Sequence, residues 1–212
     1  MGNDERDIPR AAPGEEYNPG PPTTPRQAAT VILLRGGEGD LEVLLVQRTH
    51  EARFMGGVWV FPGGAVDDVE GAGDDAHRAA AVRELREEAA VKLPDPDALV
   101  KFSRWITPAA VKIRYDTHFF LAPLPAGQEV SIDGEECIDF GWFEPGAALR
   151  AHREGELPLV FPTIKHLEQL GEFSSAQALL EHARDREVLP VEPRVVLEGE
   201  VARVLLPGDP GY

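Results

Sequence analysis

Residues Gly63 to Val91 read GGAVDDVEGAGDDAHRAAAVRELREEAAV. A glycine pair leads through an acidic loop into an alanine-rich segment of good helix propensity. Over Arg83-Glu84-Leu85-Arg86-Glu87-Glu88 a helix sets Glu84, Glu87 and Glu88 at i, i+3 and i+4, so their carboxylates share one face. Ala81, Val82, Leu85 and Ala89 fall on another face and suit packing against a core. Carboxylates about 4 Å apart, at an effective dielectric of about 20, repel by roughly 4 kcal/mol per pair. A divalent cation removes that cost, and hard oxygen ligands suit Mg²⁺ or Mn²⁺. On a solvated helix face the same like charges cost only a few tenths of a kcal/mol. The glutamates alone leave both readings open.

The surroundings decide between them. The stretch resembles the Nudix hydrolase box: a Gly, a Glu, then Arg-Glu-apolar-x-Glu-Glu-x-Gly-apolar. Gly64 matches the opening glycine, Arg83 to Glu88 the central block, and Val91 the closing apolar residue; Trp59-Val60-Phe61-Pro62-Gly63-Gly64 looks like the family's strand-to-loop entry. Asp75 stands where the box has its first Glu, after a loop from Gly64 longer than the family's usual spacing, and is read as a partner for Arg83. Ala90 replaces the late glycine, which is harmless if that residue is helical but not if it needs positive φ.

The resemblance covers about Ala28 to Phe173 and implies an α/β class fold, an α/β/α sandwich with a mixed sheet, extended by C-terminal helices. It implies hydrolysis of a nucleoside diphosphate linked to another group, X. Glu84, Glu87 and Glu88 would hold Mg²⁺ or Mn²⁺, with Glu88 the first choice for direct coordination and the Gly64 carbonyl an additional ligand. Arg83 would orient a box carboxylate, and Glu84 or Glu136 would act as general base. Glu136 lies six residues before Trp142, where many family members place a glutamate; a solvated loop carboxylate is the competing reading.

Upstream, Arg48-Thr49, Arg53 and Gly57 are similar to the motif that coenzyme-A diphosphatases of this family carry before the box, with Thr for Ser. Two guanidiniums beside a metal site could grip phosphates through bidentate hydrogen bonds. Downstream, Thr107-Pro108 and Arg114-Tyr115-Asp116-Thr117-His118-Phe119-Phe120 resemble the same branch. There Tyr115 or Phe119 could stack on an adenine and Arg114 could reach a phosphate. Strand alternation makes Phe119 or Phe120 a core residue as the competing reading, and His118 is read as a hydrogen-bonded structural histidine. Coenzyme A or an acyl-coenzyme A is thus the expected substrate, with ADP-ribose or another dinucleotide, or nucleotide sensing without cleavage, as alternatives.

The rest of the chain bounds this reading. A formal net charge of −16 argues against nucleic-acid partners, so an anionic substrate must be received by metal ions or a local basic patch. No apolar run approaches a membrane span. The lone Cys137 is read as a buried thiol of a cytoplasmic protein. Residues 1–27, rich in Pro and Gly, are expected as a flexible tail, 28–160 as the hydrolase domain, and 161–212 as an extension packed on it. Residues 28–35 and 41–48 read as a β-hairpin, 99–107, 115–121 and 137–143 as strands, and 193–207 as one alternating strand. Helices are expected near 147–153, from Phe161, and after a Ser174 or Ser175 cap. The extension would complete the substrate pocket or form a homodimer surface.

Overall fold

The run Ala28–Leu34 is apolar apart from Thr30, so it has no polar face to give to solvent and belongs in the middle of a sheet. The structure, a computed structural model, describes residues 7–8, 16–52, 55–198 and 201–212. In chain order its elements are β1 (Asp7–Ile8), β2 (Arg26–Arg35), β3 (Glu42–Arg48), β4 (Trp59–Val60), β5 (Gly63–Ala65) and α1 (Asp74–Ala89). Then follow β6 (Val100–Ile106), β7 (Tyr115–Pro123), β8 (Cys137–Phe143), α2 (Pro145–Arg153), α3 (Phe161–Leu170) and α4 (Ala176–Arg184). The chain ends with β9 (Pro190–Val191), β10 (Arg194–Glu198) and β11 (Val201–Leu205).

The main sheet runs β4-β3-β2-β7-β6-β9, with β5 joined to β2 and β8 to β3. The β2–β7 and β6–β9 pairs are parallel and the others antiparallel, so the sheet is mixed. Alternation along β2 divides the core. Val31 and Leu33 meet Ala80, Ala81, Leu85 and Ala89 of α1, whereas Ile32 and Leu34 share a cluster with Ala148, Ile164, Leu167 and Leu179 from the later helices. Helices on both faces make the expected α/β/α sandwich.

The hairpin reading needs one correction. β2 and β3 pair over only two rungs, Leu34↔Val43 and Arg35↔Glu42. Beyond them the strands separate: β5 pairs with Ala28–Thr30 of β2, and β8 pairs along β3. This separation brings Gly63–Ala65 beside α1.

Residues 193–207 form two strands rather than one, paired antiparallel with Val196 opposite Arg203; β11 also pairs with β1. Gly199 interrupts the alternation and is the sequence signal a single-strand reading passes over. In the segment expected as a tail, residues 16–25 lie along the β6–β7 connection. There Asn18 N donates to Ala110 O at 2.8 Å and Lys112 N to Glu16 O at 2.8 Å.

Candidate active site

The catalytic geometry begins with the way α1 is anchored. Arg83 projects back toward the incoming loop and its Nε donates to Glu70 Oε1 at 3.0 Å. Glu70 Oε2 in turn accepts from Asp67 N at 2.7 Å. Arg83 also donates to Ala65 O at 2.9 Å, to Glu84 Oε1 at 2.7 Å and to Glu87 Oε2 at 3.1 Å. Its hydrogen bond to Glu70 raises the guanidinium pKa beyond its already high value. The Asp75 expectation is corrected here: Glu70, not Asp75, is the carboxylate that holds Arg83. The signal was present, because five residues separate Gly64 from Glu70, the spacing usual in the family. The extra residues therefore lie between Glu70 and Arg83.

A cavity of about 350 Å³ opens where α1, β5, β2, β7 and the start of α3 meet. Glu84, Glu88 and Glu136 line it, with Arg48, Tyr115 and Phe119. Glu88 is only 2% exposed. Its Oε2 accepts from Gly63 N at 2.9 Å, and its Oε1 lies 3.9 Å from an Arg48 terminal nitrogen. Burial pushes this carboxyl up to about 7, with the Glu84 and Glu136 charges adding to the rise. Glu84 is displaced in the same direction, first by burial and then by its acidic neighbours, although Arg83 opposes the shift. A Cβ at Gly64 would meet the Glu84 carboxylate and displace it from its present position.

Several sequence-predicted residues stand elsewhere. Glu87 is outside the cavity lining, half-exposed and paired with Arg83 and Arg86. One residue short of Glu88, it is rotated by about 100° around the helix. Arg114 is 8% exposed and fully engaged: it donates to the Thr107 and Thr23 carbonyls and to Glu192. The phosphate-reaching role expected of Arg114 is therefore replaced by a clamp joining three chain segments. Arg53 lies outside the described residues. His118 faces the α1 side of the sheet and stacks on His77 with ring centroids 3.9 Å apart, and among the described residues it makes no hydrogen bond of the kind expected. Its burial lowers its pKa to about 4. Cys137 is a buried free thiol as expected, and burial raises its pKa.

The extension contributes Pro162 and Thr163 to the cavity wall, next to Val160 at the end of the domain. Thr30 and Thr163 were not singled out by sequence, because a threonine within an apolar strand or a first helical turn carries no chemical signature. Among the described residues, no three acidic, His or Cys side chains are already converged as a closed metal site. The donor set nevertheless fits a hard cation. Glu88 is buried and Glu84 partly buried, both with raised pKa values; Glu88 feels Glu84 and Glu136 as like charge, and Glu84 feels Glu87 and Glu136. A divalent ion is the counter-charge such a set takes.

Comparison with known proteins gives the class. A model of the NUDIX domain matches residues 24–161. The chain belongs to that family and is an enzyme of the Nudix diphosphatase type. Nudix hydrolase 7 of Caenorhabditis elegans is 25% identical over 221 residues, spanning 88% of this chain and 74% of that protein. The acyl-coenzyme A diphosphatase NUDT19 of Gallus gallus is 32% identical over 129 residues, 57% of this chain and 34% of that protein. The match to the chicken protein thus spans about a third of its length. A crystal structure of a NUDIX hydrolase from Alicyclobacillus acidocaldarius superimposes with a TM-score of 0.67 at 28% identity, covering 75% of this chain and 96% of that one.

Proposed function

We propose that this chain hydrolyses the diphosphate linkage of a nucleoside diphosphate derivative with a divalent cation, and that coenzyme A or an acyl-coenzyme A is the substrate. The observation that carries the reading is the meeting of Glu84, Glu88, Glu136, Arg48 and the aromatic Tyr115 and Phe119 around one cavity. Glu88 and Glu84, with the Gly64 carbonyl, would hold Mg²⁺ or Mn²⁺; Glu87 would join them by leaving its arginine partners. When bound, the ion neutralises diphosphate oxygens and acidifies a water. Arg48, whose Nε is buried without a hydrogen-bond partner, has a donor free for a substrate oxygen. Glu136 stands in the lining without a basic partner among the described residues and takes the water's proton, with Glu84 the second choice. Arg83 fixes the Glu84 carboxylate through its own anchorage on Glu70.

The coenzyme-A preference rests on Arg48-Thr49 and Gly57 before the box, on Tyr115 and Phe119 in the lining, and on the name of the NUDT19 relatives. Coenzyme A, acetyl-coenzyme A, ADP-ribose, NADH and diadenosine polyphosphates should be offered with Mg²⁺ and then Mn²⁺, and the products identified by mass. Adenosine 3′,5′-bisphosphate with 4′-phosphopantetheine is the expected product pair from coenzyme A. Preferential release of AMP and ribose 5-phosphate from ADP-ribose would overturn the substrate assignment. Absence of metal-dependent cleavage of any compound would overturn the diphosphatase reading itself.

A further inference from the structure

One wall of the cavity carries no ionised side chain. Thr30 on β2 lies opposite Phe119 of β7 on one side and opposite Gly63 of β5 on the other. The Phe119 ring packs 4.2 Å from the ring of His166, which also contacts Phe61 and lies one turn beyond Thr163 on α3. His166 is 1% exposed, and burial lowers its pKa to about 3, so it backs the wall as a neutral ring. Thr30, Phe61, Phe119, Val160, Pro162 and Thr163 thus form a continuous neutral surface that reaches the Gly63–Glu88 contact.

Two features of this wall are left unspent. Thr30 is 9% exposed and Thr163 4%, both line the cavity, and among the described residues neither hydroxyl has a hydrogen-bond partner. Buried hydroxyls are ordinarily paired, and an apolar side chain of the same shape would fill the space without loss. Thr163 also stands in the first turn of α3, whose N-cap is Val160 and has no side-chain cap. Ile164 N donates to Val160 O at 3.0 Å, which leaves the N–H groups of Phe161 and Thr163 without an intrahelical acceptor, and Pro162 contributes none. A wall that holds hydroxyls and helix N–H groups offers donors to acceptor oxygens. A phosphate seated there would lose its hydration against an apolar surface, and the lining's one cation among the described residues is Arg48.

We infer that Thr163 and Thr30, with the first turn of α3, form a specificity subsite for the uncharged, acceptor-bearing part of the substrate, group X. The inference rests on the diphosphatase reading above and adds to it the residues that read X. The shared chemistry is a neutral group carrying carbonyl or hydroxyl oxygens. An amide-bearing aliphatic arm and a second sugar both supply it, and the substrate pair below separates them.

The test compares wild type with T163V, T30V and T163S, using KM and kcat for coenzyme A and ADP-ribose at saturating Mg²⁺. It also uses the inhibition constant of ADP, which keeps the nucleoside diphosphate and lacks X. Loss of one neutral hydrogen bond should raise KM by roughly five- to tenfold in T163V, with kcat changed by less than about twofold. ADP inhibition should stay unchanged, and T163S should restore KM. A larger effect on coenzyme A assigns the subsite to the amide arm, and a larger effect on ADP-ribose assigns it to the sugar. KM unchanged in both valine variants would overturn the inference, as would an equal weakening of ADP inhibition. Melting temperatures and T163S separate these outcomes from misfolding. If wild type cleaves neither compound, the diphosphatase reading fails on its own. The subsite is then decided by calorimetric affinities for the same two compounds, and equal affinities in wild type and T163V would overturn it.

Discussion

Ala90 ends α1 at φ 55° and ψ 15°, and its N–H donates back to Arg86 O. This left-handed position is where glycine costs nothing and an L side chain costs about 1–2 kcal/mol. Ala90→Gly should therefore stabilise the protein by about 1 kcal/mol after glycine's greater unfolded-state freedom is subtracted. Thermal denaturation should show a melting temperature raised by roughly 2–4 °C; a lowered one would contradict this. The sequence posed the question at Ala90 but could not answer it, because helix propensity does not reveal which residue of the last turn crosses into the left-handed region. Arg114 and Tyr115 show the same limit. Adjacent in sequence, they have opposite fates: Arg114 is tied to Thr23, Thr107 and Glu192, whereas Tyr115 lines the cavity. Strand alternation says that neighbours diverge, not which of them meets the substrate.

At the scale of elements, α1 was legible because its chemistry is written in one short stretch. The loop before it was not, because two acids, Glu70 and Asp75, competed for Arg83 and the choice depended on where the insertion falls. Glu70 is the buried partner, with its carboxylate shared between Arg83 and Asp67 N. Glu70→Ala should lower kcat/KM by roughly tenfold or more through loss of Arg83 and Glu84 orientation, since charged hydrogen bonds contribute about 1.5–3 kcal/mol. Asp75→Ala should leave kcat/KM within about twofold of wild type, since surface changes away from such contacts have small effects. Steady-state kinetics of the pair checks this, and the reverse ranking would restore Asp75 as the box acid. The brief β2–β3 pairing was equally hidden. Two apolar runs around a glycine turn specify a hairpin locally. That β5 takes the edge of β2 depends on contacts between segments distant in sequence.

For the whole molecule, the buried acids make stability depend on pH. Glu88 has a folded pKa of about 7 against an ordinary value of 4.5. The native state binds this proton more tightly than the unfolded chain, so its stabilising contribution is complete below 4.5 and is lost as pH rises through 7. The amount is on the order of 3 kcal/mol, and Glu84 shifts in the same direction. Asp116, held low chiefly by its hydrogen bond to Arg104, acts oppositely and loses its contribution only as pH falls below the ordinary carboxylate range. Metal-free protein in EDTA should therefore melt at progressively lower temperature from about pH 5 to pH 8. The decline should be shallower in Glu88→Gln and with Mg²⁺ present; an identical decline in the variant would contradict the assignment.

The three-layer architecture could be read only through the family resemblance, because alternating strands and helices fit many sandwiches. The sequence left the extension between the substrate pocket and a dimer surface, since Pro162 and Thr163 reach the cavity wall only through tertiary packing. The most direct measurement is metal-dependent hydrolysis by Glu88→Gln, with circular dichroism to verify the fold. Loss of turnover by at least about a hundredfold in a folded variant is predicted, because the substitution removes the buried charge at the centre of the site. Near-normal turnover would contradict the placement of catalysis at Glu88.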